Sequence, residues 1–386
     1  MIEATLSPAT RAATHPLERL DTPTLLLDAD KLEGNCRTMR ERMDRHGVTL
    51  RPHVKTGKSV DVAQRALGAA AGPITVSTVR EAEYFYDHGF RDILYAVGLV
   101  PQKVARLAAL VKRGARITAI VDSVEAAHGL VTAAGAQGID LPALIEIDSD
   151  GHRAGVRPDE ARLLDVAHAL GGALRGVMTH AGESYNCTSR NAIIAMAEQE
   201  RSSTVRAAQV LRAAGHHCAV VSVGSTPTAT FATTFEGVTE VRAGVYVFQD
   251  LVMAGLGVCS VEQVAISVLA SVIGHQHDKN WLITDAGWMA MSRDRGTANQ
   301  AVDQGYGLVC DVTGAPLGDL VVSDANQEHG IVARRGGGAI DFTRHPIGSR
   351  LRVLPNHACA TAAQFGEYQV LREGRPTDLW DRFGGW

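Results

Sequence analysis

Between Thr22 and Met253 the chain alternates short apolar runs with stretches of helical period, and this alternation leaves few folds open. Short buried strands joined by helix-length connections run parallel, because each crossover brings the chain back to the same end of the sheet. After a leading run at Leu25, Leu26 and Leu27, strand candidates lie at 48–54, 74–77, 93–97, 117–122, 144–148, 175–180, 219–224 and 240–247. Eight strand-plus-connection units in about 200 residues fit a (β/α)8 barrel of the α/β class. A doubly wound open sheet is the competing architecture, and the missing GxGxxG after an early strand weighs against its dinucleotide-binding form.

The connections carry helix signals. Leu32, Cys36, Met39 and Met43 form one apolar stripe, Asp30 is placed to cap that helix with Glu33 three residues on, and Gly47 is placed to end it. A second helix is expected around Ile194, Ala197, Val205, Ala208 and Leu211, ending at Gly215. From about Val264 the helical period fades. Strands are expected at 264–273, 281–285, 307–311, 320–322 and 349–354, separated by Gly- and Asp-rich turns, which reads as a mainly β domain. The expected organisation is an N-terminal segment 1–21, a barrel 22–258 and a β domain 259–386, with the run at Leu25–27 able to join either domain. Arg334, Arg335 and the three glycines after them read as a mobile loop, a solvated turn with phosphate binding as the alternative.

Composition narrows the function. With 45% apolar and 21% charged residues the chain is globular, and a net charge of −4 gives no reason to expect nucleic acid or an anionic membrane as partner. No apolar run reaches the roughly 18–20 residues that span a bilayer. The first twenty residues hold Glu3, Arg11, Glu18 and Arg19 without an apolar core, so no secretory signal is expected. Six scattered cysteines with no CxxC point to a reduced cytoplasm.

Barrel chemistry sits at the C-terminal strand ends. The first carries Arg51-Pro52-His53-Val54-Lys55. A partly desolvated lysine there can form a Schiff base, although position alone reads it as a solvated strand terminus. Others carry Arg153, His180 and Tyr185, and His180 by itself reads as a hydrogen-bonded core histidine. Gly224, Ser225 and Thr226 offer N–H and hydroxyl donors to a phosphate, as well as the makings of an ordinary turn. Arg242, Gly244 and Val245 lie on the last strand. Lysine, histidine, a phosphate-type loop and arginine on the strand ends of one barrel together point to pyridoxal phosphate. In the β domain His357 and Cys359 fall on the same side of an extended chain, so they can share one metal. Two ligands leave positions open for water or substrate, as in catalytic sites, and a thiolate with an imidazole suits Zn²⁺ better than Mn²⁺. An isolated HxC also reads as a free cysteine beside a structural histidine. His275 and His277 share that spacing without support, and His216-His217-Cys218 reads as a helix end.

These segments resemble the fold-type III pyridoxal-phosphate enzymes, the alanine-racemase-like barrels. They are most similar to the metal-activated branch that holds D-threonine aldolases, D-serine dehydratases and D-threo-3-hydroxyaspartate dehydratases. The resemblance runs from Asp21 to Trp386 and rests on RPHVK at 51–55, ITVSTVRE at 74–81, 179–185, VSVGSTPT at 221–228, WMAMSRDRG at 288–296, ANQEHG at 325–330 and the HAC at 357–359. It implies that Lys55 carries the cofactor, that His180 stacks beside the ring, that Arg242 meets the ring nitrogen and that Arg153 lies near the ring hydroxyl. It implies a phosphate held by Gly224, Ser225, Thr226, Gly244 and Val245, a ring or substrate contact from Tyr185, and a metal on His357 and Cys359. Where the racemases carry a catalytic tyrosine four residues after the lysine, this chain has Ser59, which argues against two-base racemisation.

The implied activity is dehydration of a D-3-hydroxy amino acid, with D-threo-3-hydroxyaspartate giving oxaloacetate and ammonia, and D-serine as a further substrate. HxC rather than HxD leans toward the dehydratases. Retro-aldol cleavage to glycine and an aldehyde is the alternative, and a non-catalytic cofactor carrier is disfavoured by the extra β domain. A second substrate carboxylate would need a cation, for which Arg153, Arg293 and Arg295 are candidates. The resemblance also implies a homodimer.

Overall fold

The computed structural model describes residues 16–386. Positions 1–15, most of the expected N-terminal segment with Glu3 and Arg11, lie outside the described residues. Strand β1 (Thr24–Asp28) leads into the helix Ala29–His46, whose stripe of Leu32, Cys36, Met39 and Met43 is buried as the spacing requires. The cap is Asp28 and not the expected Asp30: the Asp28 carboxylate accepts the Lys31 N–H, because the strand ends at Asp28 and the helix starts one residue later. Gly47 ends the helix at φ +65°, a left-handed conformation open to glycine.

Eight parallel strands come next: β2 (Thr49–Leu50), β3 (Pro73–Val76), β4 (Asp92–Gly98), β5 (Arg116–Val121), β6 (Ala143–Glu146), β7 (Leu174–Met178), β8 (Val220–Val223) and β9 (Glu240–Val241). Their order is β2-β9-β8-β7-β6-β5-β4-β3. The segment after β2 pairs with β3 through a bridge between His53 and Thr75, closing the barrel. Two expected strands are shorter than the apolar pattern suggests. β2 gives way to a turn at Lys55, and β9 stops at Val241 before a 3-10 turn at Val245–Val247, because both chains bend into loops at the barrel mouth.

The second sheet holds β1 with β10 (Ile266–Gln276), β11 (Trp281–Thr284), β12 (Gly307–Cys310), β13 (Pro316–Ala325), β14 (Gly330–Arg334), β15 (Arg350–Pro355), β16 (Glu367–Arg372) and β17 (Arg375–Asp381), in the order β11-β14-β13-β12-β15-β10-β1-β16-β17. Strand β1 runs antiparallel to β10 and parallel to β16, so Leu25–27, inside the expected barrel range 22–258, belongs to this sheet. Both of its faces are covered: Leu25 and Leu27 join the core shared with the barrel, while Leu26 packs on Leu17, Leu269 and Leu371. Each buried leucine contributes about 1.5–3 kcal/mol over exposure. Strands β14, β16 and β17 escaped the sequence reading, since polar residues at 328–335 and 367–378 break up the alternation. No helix of the described residues is long and apolar enough to cross a membrane.

Candidate active site

The C-terminal strand ends of the barrel surround one cavity. Lys55, Arg153, His180, Tyr185, Gly224, Ser225, Thr226, Arg242, Gly244 and Val245 all line it, with His53, Ser77 and Met178 among the others. Lys55 stands in the turn beyond β2, where its backbone N–H reaches His53 Nδ1 at 3.5 Å. That contact leaves the proton of a neutral His53 on Nε2. Burial, then the cations Lys55 and Arg242, hold His53 well below the usual histidine range, so it is neutral. His180 takes the opposite tautomer. Its Nδ1 lies 3.1 Å from the Gly224 carbonyl, which only an N–H can satisfy, and Nε2 is left as an acceptor.

Arg242 is buried inside the barrel. Its guanidinium donates to the Thr179 carbonyl and, at 2.5 Å, to Ser222 Oγ. Ser222 donates its hydroxyl proton to Glu240 at 2.6 Å, and Glu240 is paired with Arg51 at 2.8 Å. This chain of charges fixes Arg242 against the cavity wall. Arg153 reaches Glu146 at 3.6 Å, where burial raises the carboxyl and the guanidinium opposes that rise.

The anion end is built by two loops. Ser225 caps the short helix Thr226–Phe231, and its Oγ lies 2.8 Å from Ser184 Oγ. Thr226 Oγ1 accepts the Tyr246 N–H at 3.2 Å and so ties the β8 loop to the β9 loop. Gly224 is required here: its φ is +135°, and a Cβ would lie 2.1 Å from the Arg242 carbonyl oxygen. Beneath both loops Glu200 Oε1 accepts the N–H groups of Ala181 and Gly224, each at 3.0 Å. A primary amine, a guanidinium, an imidazole wall and a cradle of N–H and hydroxyl donors around one cavity fit an aromatic aldehyde phosphate, which is the chemistry of pyridoxal phosphate.

His357 and Cys359 do not line this cavity but stand beside it. Cys359 Sγ is 3.2 Å from Thr56 Oγ1, next to Lys55, and His357 and Cys359 share a hydrogen bond. His357 Nδ1 lies 2.7 Å from the Asp294 carboxylate, which orients Nε2 for a ligand, as the carboxylate behind a metal-bound histidine does. Asp250 accepts the Ala358 N–H between the two at 3.0 Å. Among the described residues no group of three or more His, Cys, Asp and Glu could hold a metal. An imidazole and a thiol backed by an orienting carboxylate still fit an open catalytic site, where water and substrate complete the shell.

The structure also separates the candidate cations. Arg295 is paired with Asp303 at 2.8 Å, Arg293 lies over the Trp288 ring and outside the cavity lining, and Arg153 lines the cavity. His275 near the end of β10 and His277 in the turn after it both meet Phe342, and His275 Nε2 binds the His345 carbonyl at 2.8 Å. His53, Glu200, Asp250 and Asp294 escaped the sequence reading. The RPHVK segment contained His53, whereas nothing in the helix pattern distinguishes Glu200 from a surface glutamate.

Fold and site together define an alanine-racemase-like barrel joined to a dehydratase-type β domain. Residues 27–251 match the family described as "Alanine racemase, N-terminal domain", and 265–371 match "Putative serine dehydratase domain". The chain belongs to this pyridoxal-phosphate-dependent fold family. It is 54% identical over 373 residues to D-threo-3-hydroxyaspartate dehydratase of Delftia sp. HT23, covering 95% of this chain and 98% of that one. It is 30% identical to D-serine dehydratase of Dictyostelium discoideum, covering 92% and 94%. The solved structure of the Delftia enzyme superposes with a TM-score of 0.94 at 53% identity, covering 97% of this chain and all of that one. Solved variants of D-threo-3-hydroxyaspartate dehydratase include a His→Ala form and a metal-free Cys→Ala form, and the two substituted residues are two apart, the spacing of His357 and Cys359.

Proposed function

We propose that this chain is a pyridoxal-phosphate- and divalent-metal-dependent dehydratase of D-3-hydroxy amino acids. D-threo-3-hydroxyaspartate is the leading substrate, converted to oxaloacetate and ammonia. The observation that carries the reading is the convergence of Lys55, Arg242 and His180 on one cavity, with His357 and Cys359 at its edge through Thr56. Identity of 54% over the whole length of a dehydratase supports the same substrate class.

Pyridoxal phosphate, when bound, supplies an electron sink for charge developing at the substrate α carbon, and a divalent ion on His357 and Cys359 supplies a Lewis acid for the departing hydroxyl. Lys55 Nζ takes the α proton. Arg242 would meet the ring nitrogen of the bound cofactor; burial weakens its hold on the proton, Glu240, Glu200 and Glu146 oppose that, and Ser222 and Thr179 fix the guanidinium in place by accepting its N–H groups. His180 stays neutral and forms one wall. Ser225, Thr226 and the backbone of Gly244 and Val245, which line the cavity, would hold the phosphate. Of the three candidate arginines only Arg153 lines the cavity, so it would be the cation for a second substrate carboxylate. A thiol and an imidazole favour Zn²⁺. All six cysteines are free thiols, which suits a cytoplasmic protein, and a homodimer is the expected assembly.

Product analysis tests the proposal. Purified protein with cofactor and Zn²⁺ or Mn²⁺ is given D-threo-3-hydroxyaspartate, D-serine and D-threonine separately. Ammonia with a 2-oxo acid is expected, lost on chelation. Glycine with an aldehyde would make the chain an aldolase, and full activity after chelation would remove the metal from the mechanism.

A further inference from the structure

The turn that carries Lys55 is gripped from the β domain at three successive residues. Thr56 Oγ1 receives the Cys359 thiol at 3.2 Å. The Gly57 carbonyl accepts the Tyr368 hydroxyl at 2.6 Å, and the buried Arg382 guanidinium in turn hydrogen-bonds that hydroxyl. The Lys58 carbonyl accepts the Phe383 backbone N–H at 2.8 Å. Lys58 has a φ of +44°, which a lysine keeps only where its surroundings hold it. They do so from both sides. Lys58 Nζ is 3.1 Å from the fully buried Glu81 and 5.3 Å from the centre of the Phe383 ring, and that ring stacks on Tyr84 at 5.0 Å. Glu81 also accepts the backbone N–H and hydroxyl of Ser77, which lines the cavity.

We propose that Tyr368, Arg382 and Phe383 are positioning residues for Lys55, through which the β domain sets where the Lys55 amine stands in the barrel mouth. None of the three lines the cavity, so they act through the turn. Without them Lys55 sits on an exposed loop, and a misplacement of 1 Å at a reacting group costs about a hundredfold in rate. This inference rests on Lys55 as the cofactor-bonding residue of the proposed function.

The test uses the holoenzyme and the variants Tyr368→Phe and Phe383→Ala. Tyr368→Phe removes one hydroxyl from a buried ring. Phe383→Ala removes a half-buried ring and leaves its backbone N–H. For whichever D-3-hydroxy amino acid the wild type turns over, kcat is expected to fall about ten- to a hundredfold with KM unchanged. The cofactor should remain on Lys55, shown by borohydride reduction and peptide mapping. The pH midpoint of its visible band near about 420 nm should move, since protonation of the bonded nitrogen depends on its orientation. Phe383→Tyr should restore both. A lowered melting temperature with kcat and the band midpoint unchanged would mean a merely structural role and overturn the proposal. If Tyr368→Phe does not fold, Phe383→Ala decides alone. Wild-type protein that carries no cofactor on Lys55 would instead overturn the functional reading.

Discussion

Burial holds the His180 imidazole down to about 3; its bond to the Gly224 carbonyl opposes this, and Lys55, Arg153 and Arg242 add to it. An unfolded chain titrates this group near about 6.5. Between those values the unfolded state binds a proton that the folded state refuses, so stability is undiminished above about pH 6.5 and drains away as pH falls toward 3. Melting temperature should therefore decline from neutral pH to pH 4, and His180→Phe should flatten that decline; equal slopes for the two proteins would count against it. Lys55→Ala should remove the absorbance of bound cofactor near about 420 nm together with turnover. Cys359→Ser should weaken metal-dependent activity by about 10–100-fold, measured by metal titration of the rate. Residue types at strand ends made Lys55 and Arg242 visible in the sequence. The HxC spacing made Cys359 visible, although His357 and Cys359 do not share an extended chain: His357 is the extended cap and Cys359 lies in the first turn of the helix Ala358–Ala362. His53 and Asp294 were not, because their roles come from the partners that folding brings, Lys55 in one case and His357 in the other.

Single elements carry the supports of the site. The helix Arg190–Ala213 buries Ala197, Ala208 and Leu211 of the expected face, with Ile193 and Thr204 buried where Ile194 and Val205 were expected, and Glu200 on it points inward and joins the loops after β7 and β8. Glu200→Ala should orphan two buried N–H groups at about 1–3 kcal/mol each, read by denaturant unfolding, and should weaken cofactor binding. Gly224→Ala should do more harm to cofactor binding than to overall fold, since its Cβ would strike the Arg242 carbonyl and push the β8 loop from the β9 loop. Equal cofactor affinity in wild type and Gly224→Ala would refute this account of the loop.

For the molecule as a whole, β1 matters most. It precedes the barrel in the chain but pairs with β10 and β16 in the middle of the second sheet. Residues 22–258 expressed alone should aggregate, because Leu25, Leu26 and Leu27 would form an unpaired apolar edge. A soluble, monomeric product with barrel-like circular dichroism would show that the barrel folds without its partner sheet. The clamp on Lys58 leads to the same expectation, since the turn that bears Lys55 would lose Tyr368 and Phe383.

The sequence by itself determined the barrel, the mainly β character of the C-terminal domain, and the residues at the strand ends, because those depend on local apolar period and on residue type. It could not decide which sheet takes Leu25–27, since a wholly apolar run fits any buried strand. Nor could it place Asp28 rather than Asp30 at the helix start, where one residue of strand length decides. Tertiary structure alone brought residues 357–383 onto the turn after β2, as contacts across some 300 positions leave no mark in local pattern. It also set the tautomers and charges in the cavity, because burial and neighbouring ions decide where a proton sits.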